Sequence, residues 1–275
     1  MSQQEFETLI VQDHNPVLRV ILNRPKLANA MNLVMVNELM AVMEKVEQEN
    51  YRVLIISGGN GNFCAGGDIK DMQSAGADKK ALIELNRAFG HMIIKANHLP
   101  CAVICALEGA VLGGGFGLAC VSDLAIAVEK TQFGLPETSL GIIPAQIAPF
   151  VVQRIGLTQT RRLALFGNRI KAQEALNLGL IHQVVENNDQ LEDSVMQAIK
   201  LALKCAPQAS QTTKALIHNV GEQDLDSLLD QAANNFADAV MGEGREGGAA
   251  FMQKRSPAWA DVALVSEHAI KEKTS

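Results

Sequence analysis

Two segments of this chain share a plan in which a strand pattern meets a glycine cluster and then a helix start. They are LIISGGNGNFCAGGDIKDM, residues 54–72, and VICALEGAVLGGGFGLACVSD, residues 103–123. The first backbone N–H groups of a helix have no partner inside it, and glycine lets a ligand approach them closely. A glycine costs a helix about 1 kcal/mol relative to alanine, so stability does not explain the triplet Gly113–Gly115.

The glycine clusters do not fit the sequence fingerprints of nucleotide sites. Neither matches G-x-G-x-x-G with its following acidic residue, neither matches G-x-x-x-x-G-K-[ST], and the chain has no G-x-S-x-G nucleophile elbow. One N–H donor from each segment would instead suit an oxyanion, such as a thioester carbonyl that gathers charge as an enolate. The alternative is a pair of tight turns that allow close helix packing.

The order of the patterns predicts an α/β architecture. Strand patterns and helical patterns alternate in the first half, whereas helical segments dominate from about residue 145. We expect strands over residues 17–24, 52–58, 101–107 and 124–134, and helices over residues 32–49, 80–98, 145–156, 158–167, 171–179, 190–206 and 224–242. The change of pattern suggests a core domain over residues 1–200 and a helical C-terminal region over residues 201–275.

Composition narrows the classes of protein. A chain of 275 residues with 48% hydrophobic residues can bury a large core, and its formal charge of -6 argues against a nucleic-acid surface. The apolar runs are too short to span a membrane, and residues 1–10 lack the pattern of a signal peptide. Five cysteines fit reduced thiols in a cytoplasmic protein better than a disulfide framework.

Several ordered motifs resemble the crotonase, or enoyl-CoA hydratase/isomerase, family. They are NRPKLANAMN, FCAGGDIKDM, GAVLGGGFGLACVSDLAIA, FGLPETSLGIIP and FMQKRSPAW, and the resemblance spans roughly residues 8–260. It implies a spiral of repeated ββα units with a helical C-terminal region that forms homotrimers or homohexamers. It also implies an acyl-CoA thioester as substrate, two backbone N–H groups that stabilise its enolate, and no metal or cofactor beyond the coenzyme A of the substrate.

The resemblance assigns roles to individual positions. Gly67 and Gly114 would be the oxyanion donors. The expected coenzyme A contacts are Lys26, Leu27, Ala28, Ala65, Asp68, Ile69 and Lys254. Without the surrounding motifs, Lys26 and Lys254 would be interpreted as solvated surface charges.

The chain departs from the family pattern at one catalytic position. Hydratases of this family carry two glutamates that handle the attacking water, but here only Glu137, in LPETSLG, is present. Gly117 stands in place of the other glutamate. The chain is therefore expected to be a hydratase with Glu137 as the general acid-base group, a Δ3,Δ2-enoyl-CoA isomerase with one base, or an acyl-CoA-binding protein that has lost efficient catalysis.

A closer similarity narrows the expected substrate. The motifs around the glycine triplet and the stretch PAQIAPF are similar to hydratases that act on branched glutaconyl-CoA thioesters in the breakdown of acyclic terpenes. Such a substrate carries its own carboxylate. We therefore expect Gly117 to leave a space for that carboxylate or an ordered water, with Gln146 as a polar contact or a buried structural amide.

Overall fold

A mixed sheet with helices on both faces forms the core of the computed structural model, which describes residues 6–74, 76 and 78–260. The strands are β1 (Leu9–His14), β2 (Val17–Leu22), β3 (Val53–Gly58), β4 (Ala102–Leu107), β5 (Ala110–Leu112), β6 (Leu124–Val128), β7 (Gln132–Gly134), β8 (Arg169–Lys171) and β9 (Gln183–Val185). The helices are α1 (Leu33–Gln48), α2 (Ile69–Ser74), α3 (Lys79–His98), α4 (Gly114–Val121), α5 (Ala148–Phe166), α6 (Ala172–Asn177), α7 (Asn188–Lys204), α8 (Pro207–His218), α9 (Leu225–Met241) and α10 (Glu243–Met252). Short 3-10 turns cover Pro25–Leu27, Glu137–Leu140 and Ala258–Ala260.

The strands form two sheets. The larger has the order β1-β2-β3-β4-β6-β9, and only its β1–β2 pair is antiparallel. The smaller has the order β5-β7-β8. Two strands precede a helix in β1–β2–α1, in β4–β5–α4 and in β6–β7–α5, which confirms the α/β spiral of ββα units.

Each face of the larger sheet is covered by amphipathic helices. Inward-facing residues of α1 pack with Leu18, Leu54 and Ile56 on one face. On the other face, Val53 and Ile55 pack against the apolar stripe of α7. Helix α7 ends at Lys204, so it continues for four residues past the predicted end of the core domain at residue 200.

Most predicted elements are present, with differences that have local causes. The strand expected over residues 124–134 is two strands, β6 and β7, because a turn separates them in which Thr131 N–H donates to Val128 O. The two helices expected over residues 145–167 are confirmed as the two halves of α5, which Gly156 separates with a φ of 76° and a ψ of 162° that are not helical. Helices α8 and α10 and strands β1, β5 and β8 were not predicted. Part of the predicted C-terminal region, residues 261–275, lies outside the described residues.

No helix in the described part of the chain is long and apolar enough to cross a membrane.

Candidate active site

The two glycine-rich turns lie side by side, as the predicted oxyanion site requires. Cys64 forms a parallel bridge with Val111, through Cys64 N–H to Ala110 O at 2.8 Å and Leu112 N–H to Cys64 O at 2.9 Å. Beyond the bridge the backbones touch, since a Cβ built at Gly113 would lie 3.3 Å from Gly66 Cα. The fold therefore brings together two turns that are almost fifty residues apart along the chain.

Gly67 and Gly114 each present a backbone N–H that no described residue accepts. Met31 pairs with the residues on either side of Gly67: its N–H donates to Gly66 O, and its carbonyl oxygen accepts from Asp68 N–H, both at 2.8 Å. The Gly67 N–H is left without an acceptor in this bridge. Gly114 is the first residue of α4, where backbone donors have no intrahelical acceptor. The two donors line one cavity and can bind a single developing oxyanion.

The glycine triplet has a separate structural reason at each position. Gly113 has a φ of 50°, which disfavours any side chain, and a Cβ there would lie 3.0 Å from Glu137 Oε1. A Cβ at Gly115 would lie 2.7 Å from Cys64 Cβ. A Cβ at Gly114 would meet only Met31 Sδ, at 3.2 Å, so this glycine is the least constrained of the three by packing.

Glu137 lies at the start of the 3-10 turn after β7, with its carboxylate against the glycine turn. The residue is half-buried, its Oε2 is fully buried, and no described residue donates a hydrogen bond to that oxygen. Burial raises the pKa of Glu137, because a carboxylate loses solvation there. A desolvated carboxylate with an unpartnered oxygen is a stronger base than an exposed one, which suits it to proton transfer.

A cavity of about 520 Å³ joins these groups. Its wall combines the glycine turns and Glu137 with apolar side chains from α3 and from the segment before α5. These apolar residues are Leu82, Leu85, Phe89, Leu140, Ile142, Ile143 and Ile147. A largely apolar cavity with a few converging polar groups is typical of a site for an acyl chain.

The predicted space at Gly117 is absent. Gly117 is buried, and a Cβ built on it would lie 2.4 Å from Ile147 Cγ2 and 3.4 Å from Ile93 Cδ1. Ile147 fills the volume that a longer side chain would need. The expectation that Gly117 admits a substrate carboxylate or a water is therefore wrong. Of the carboxylates that line the cavity in the described residues, Glu137 is the one with a buried oxygen that accepts no hydrogen bond.

We expect Gly117→Glu to lower the melting temperature and to reduce activity on acidic and neutral thioesters alike. The new side chain must displace Ile147 and Ile93, and overpacking a core costs about 1–3 kcal/mol. Burying the new carboxylate without a partner destabilises the fold further. Thermal unfolding measures the loss. The double variant Gly117→Glu/Ile147→Ala frees the space and should recover part of it. Wild-type stability of the single variant would contradict this packing.

The expected coenzyme A contacts join the cavity at Ala65. Ala65 N–H donates to Ala28 O at 3.0 Å, which attaches the Lys26–Ala28 turn to the wall of the cavity. Ala28 has a φ of 46°, a left-handed backbone that costs a non-glycine residue about 1–2 kcal/mol. The buried Asn29 side chain holds this turn by donating to Gly59 O and Asn62 O. Lys26 and Leu27 are exposed.

Asp68 and Ile69 line the cavity with different surroundings. Arg24 Nη2 donates to Asp68 Oδ2 at 2.8 Å, and Lys70 N–H donates to Oδ1 at 3.0 Å. Burial disfavours the charged form of Asp68, but these donors outweigh it and lower the pKa of the carboxyl. Its side chain therefore braces the turn, whereas Ile69 is half-exposed and open to a ligand. Sequence analysis missed Arg24, although it directly precedes the PKLANA motif.

Gln146 lines the cavity and is held by two residues of α3. Its Nε2 donates to Asn86 Oδ1 at 2.8 Å, and its Oε1 accepts from Arg87 Nη1 at 3.1 Å. It is a partly exposed polar group of the wall and not a fully buried amide. Lys254, by contrast, follows α10 with a φ of 53° and is exposed, and it is not among the residues that line this cavity.

Comparison with known proteins gives consistent matches over almost the whole chain. The family model described as Enoyl-CoA hydratase/isomerase matches residues 12–262. An enoyl-CoA hydratase/isomerase from Marinobacter aquaeolei is similar in structure, with 54% identity, a TM-score of 0.90 and coverage of 93% of this chain and 100% of that one. Pseudomonas aeruginosa AtuE is also 54% identical, with a TM-score of 0.90 and coverage of 92% and 100%. The 2,3-dehydroadipyl-CoA hydratase of Escherichia coli K12 is 32% identical over 252 residues, which cover 90% of this chain and 97% of that protein.

Proposed function

The chain belongs to the enoyl-CoA hydratase/isomerase family, and from that premise we propose that it adds water to a 2-enoyl-CoA. One observation carries the proposal: the unpaired N–H groups of Gly67 and Gly114 open onto the same cavity as Glu137, whose buried Oε2 accepts no hydrogen bond from a described residue. The N–H donors can stabilise the oxyanion of a thioester enolate, and the carboxylate can accept and return the proton that hydration transfers.

The proposed reaction uses Glu137 twice. As the oxygen of water bonds to C3 of the enoyl group, Glu137 takes a proton from that water and charge moves to the thioester oxygen. Gly67 and Gly114 stabilise this enolate through their N–H groups. Glu137 then gives the proton to C2, so that H and OH of one water have added across the double bond and the carboxylate is restored.

The buried Glu137 favours such a two-way role. Its raised pKa brings the carboxyl closer to the working pH, where one group can accept and then return a proton efficiently. Coenzyme A enters as part of the substrate, with Lys26, Leu27, Ala28, Ala65, Asp68, Ile69 and Lys254 as its proposed contacts.

The proposed substrate class is a branched glutaconyl-CoA, such as isohexenylglutaconyl-CoA of acyclic terpene catabolism, which would give a 3-hydroxy-3-substituted glutaryl-CoA. The apolar wall built by α3 and the 140–147 segment supports a branched aliphatic chain. The E. coli relative is named for 2,3-dehydroadipyl-CoA, a thioester whose acyl chain ends in a carboxylate. That name supports a dicarboxylic acyl group for this chain.

A second candidate is a Δ3,Δ2-enoyl-CoA isomerase. The observation that favours it is Ile147 in the space next to Gly117, which leaves Glu137 as the one carboxylate of the cavity, within the described residues, that has an unpartnered buried oxygen. One base suffices for isomerisation, because it removes a proton from C2 and returns it to C4.

Absorbance of the conjugated thioester distinguishes these candidates. Incubation of a 2-enoyl-CoA in water should lower the absorbance if the enzyme is a hydratase, and mass spectrometry should detect the addition of one water. A rise from a 3-enoyl-CoA with no mass change would identify the isomerase. No change with either thioester, despite measurable binding, would overturn both and leave a binding protein.

We also propose that the protein is a cytoplasmic homotrimer, or a hexamer of two trimers, assembled through the 201–275 region. Large apolar side chains on α9 and α10 are exposed in the single chain, among them Phe236 at 71% and Phe251 at 86%. Exposed apolar surface of this extent supports an interface between subunits. All five cysteines are free thiols, which supports a reducing compartment.

Phe236→Asp is expected to shift the protein from the oligomer toward the monomer in size-exclusion chromatography with light scattering. A charge buried at an apolar interface loses solvation without a partner. Asn234→Asp places the same charge two residues away on α9, at an exposed polar position, and should keep the oligomer. A monomeric wild type, or two variants with the wild-type mass, would contradict the proposed interface.

A further inference from the structure

A cation is hydrogen-bonded to the wall of the cavity at Gln146. Arg87, on α3, donates from Nη1 to Gln146 Oε1 at 3.1 Å, and Gln146 lines the cavity together with Asn86. The guanidinium is therefore one hydrogen bond away from the wall of the cavity. The expected coenzyme A contacts join the cavity elsewhere, where Ala28 bonds to Ala65.

No acidic side chain in the described residues neutralises Arg87. The ion pairs found among those residues do not include it, and its one side-chain hydrogen bond goes to the neutral amide of Gln146. A guanidinium presents five N–H donors in a planar fork, so most of them remain free for another acceptor.

Gly90 makes room for this arrangement in the middle of α3. A Cβ built at Gly90 would lie 2.0 Å from Gln146 Oε1 and 2.5 Å from Arg87 Nη1. Glycine costs a helix interior about 1 kcal/mol relative to alanine, and Gly90 has a helical backbone. The close approach of the Gln146 amide and the Arg87 guanidinium explains why the helix carries a glycine there.

We propose that Arg87 binds the acyl carboxylate of the substrate and that Gln146, packed over Gly90, positions its guanidinium. This inference rests on the proposed function and adds the residue that selects dicarboxylic thioesters. A substrate carboxylate at the cavity end near Gln146 accepts hydrogen bonds from the guanidinium N–H groups of Arg87 that do not bind Gln146. The carboxylate and the guanidinium then form a charge-assisted hydrogen bond. The substrate carboxylate is thus placed near Arg87 and not at Gly117, where Ile147 fills the space.

The test compares a branched glutaconyl-CoA with its methyl ester, a neutral thioester of nearly the same shape. In Arg87→Gln, the ratio of kcat/KM for the acid over the ester should fall about 10- to 100-fold, the range expected for a lost charged hydrogen bond. Arg87→Lys should keep part of the ratio, because it retains the charge but not the fork. Arg161→Gln removes the same charge from an exposed position on α5 and should leave the ratio unchanged.

Gly90→Ala tests the positioning without removing the charge. The added methyl group meets the ends of two flexible side chains, so the helix should fold at least as stably while Gln146 and Arg87 are displaced. The acid-to-ester ratio should fall as in Arg87→Gln, with a melting temperature at or above the wild-type value.

The outcomes separate this inference from the proposed function. A wild type that hydrates the acid in preference to the ester, with the same ratio in Arg87→Gln, overturns the role of Arg87 alone. Equal rises in KM for both thioesters in Arg87→Gln also overturn it, because Arg87 would then bind the coenzyme A part that they share. A wild type that hydrates neither thioester overturns the proposed function, and with it this inference.

Discussion

Glu137→Gln is expected to lower turnover of the enoyl-CoA by at least about 100-fold while the fold and the binding of coenzyme A persist. A positioned acid-base group contributes about 10²–10⁴-fold to a rate, and the amide can neither take the proton of water nor return it. The glycine donors are unchanged in this variant. The loss should therefore fall on kcat in steady-state assays, while isothermal titration with a product thioester reports unchanged affinity.

Glu129→Gln is the matched control, because Glu129 is exposed after β6 and lies outside the residues that line the cavity. It should have wild-type turnover. If Glu137→Gln also turned over at a rate near that of the wild type, Glu137 would have no part in the mechanism.

The stability of Glu137→Gln gives an independent readout. Burial raises the pKa of Glu137, so its ionised form is less favourable in the folded state than in the unfolded state. Ionisation therefore destabilises the fold above the unfolded pKa, and this cost vanishes at lower pH, where the carboxyl is protonated in both states. The melting temperature of the variant at neutral pH should accordingly equal or exceed that of the wild type, with less advantage in acid.

The juxtaposition of groups at the proposed reacting centre was predictable, because it depends on local backbone features. A glycine cluster between a strand and a helix predicts free N–H groups wherever it occurs, and parallel neighbouring strands bring two such clusters to one edge of a sheet. The family motifs then identified Gly67, Gly114 and Glu137, and the structure brings these three positions together at one cavity. The alternation of patterns predicted the α/β class, and the resemblance to the family predicted the spiral of ββα units.

The surroundings of that centre were not predictable, because they depend on side chains from distant parts of the chain. The sequence shows that Gly117 is not a glutamate, but only the packing of α4 against Ile147 shows that no vacancy results. Arg87 and Gln146 are 59 residues apart, and neither belongs to a motif that names the other. From the sequence, Gly90 is only a glycine that weakens α3, and the structure shows that the Gln146 amide packs against it.

Gly114→Pro is expected to lower kcat about 10²–10³-fold, the effect of removing one oxyanion-hole donor. Proline has no N–H, yet it is favoured at the first position of a helix, and Gly114 is that position of α4. The substitution thus deletes the donor at a site where the helix tolerates it. Stopped-flow or steady-state hydration assays measure the loss, and circular dichroism checks the fold.

Gly114→Ala separates the donor from the glycine itself. It keeps the N–H, and its methyl group meets only Met31 Sδ, the flexible part of a methionine side chain, at 3.2 Å. We expect it to retain most of the turnover that Gly114→Pro loses. If the two folded variants had equal activity, the oxyanion would not be bound by the Gly114 N–H. A deficit confined to Gly114→Pro would instead mean that the glycine turn acts through its backbone donor, with packing against Met31 as a secondary matter.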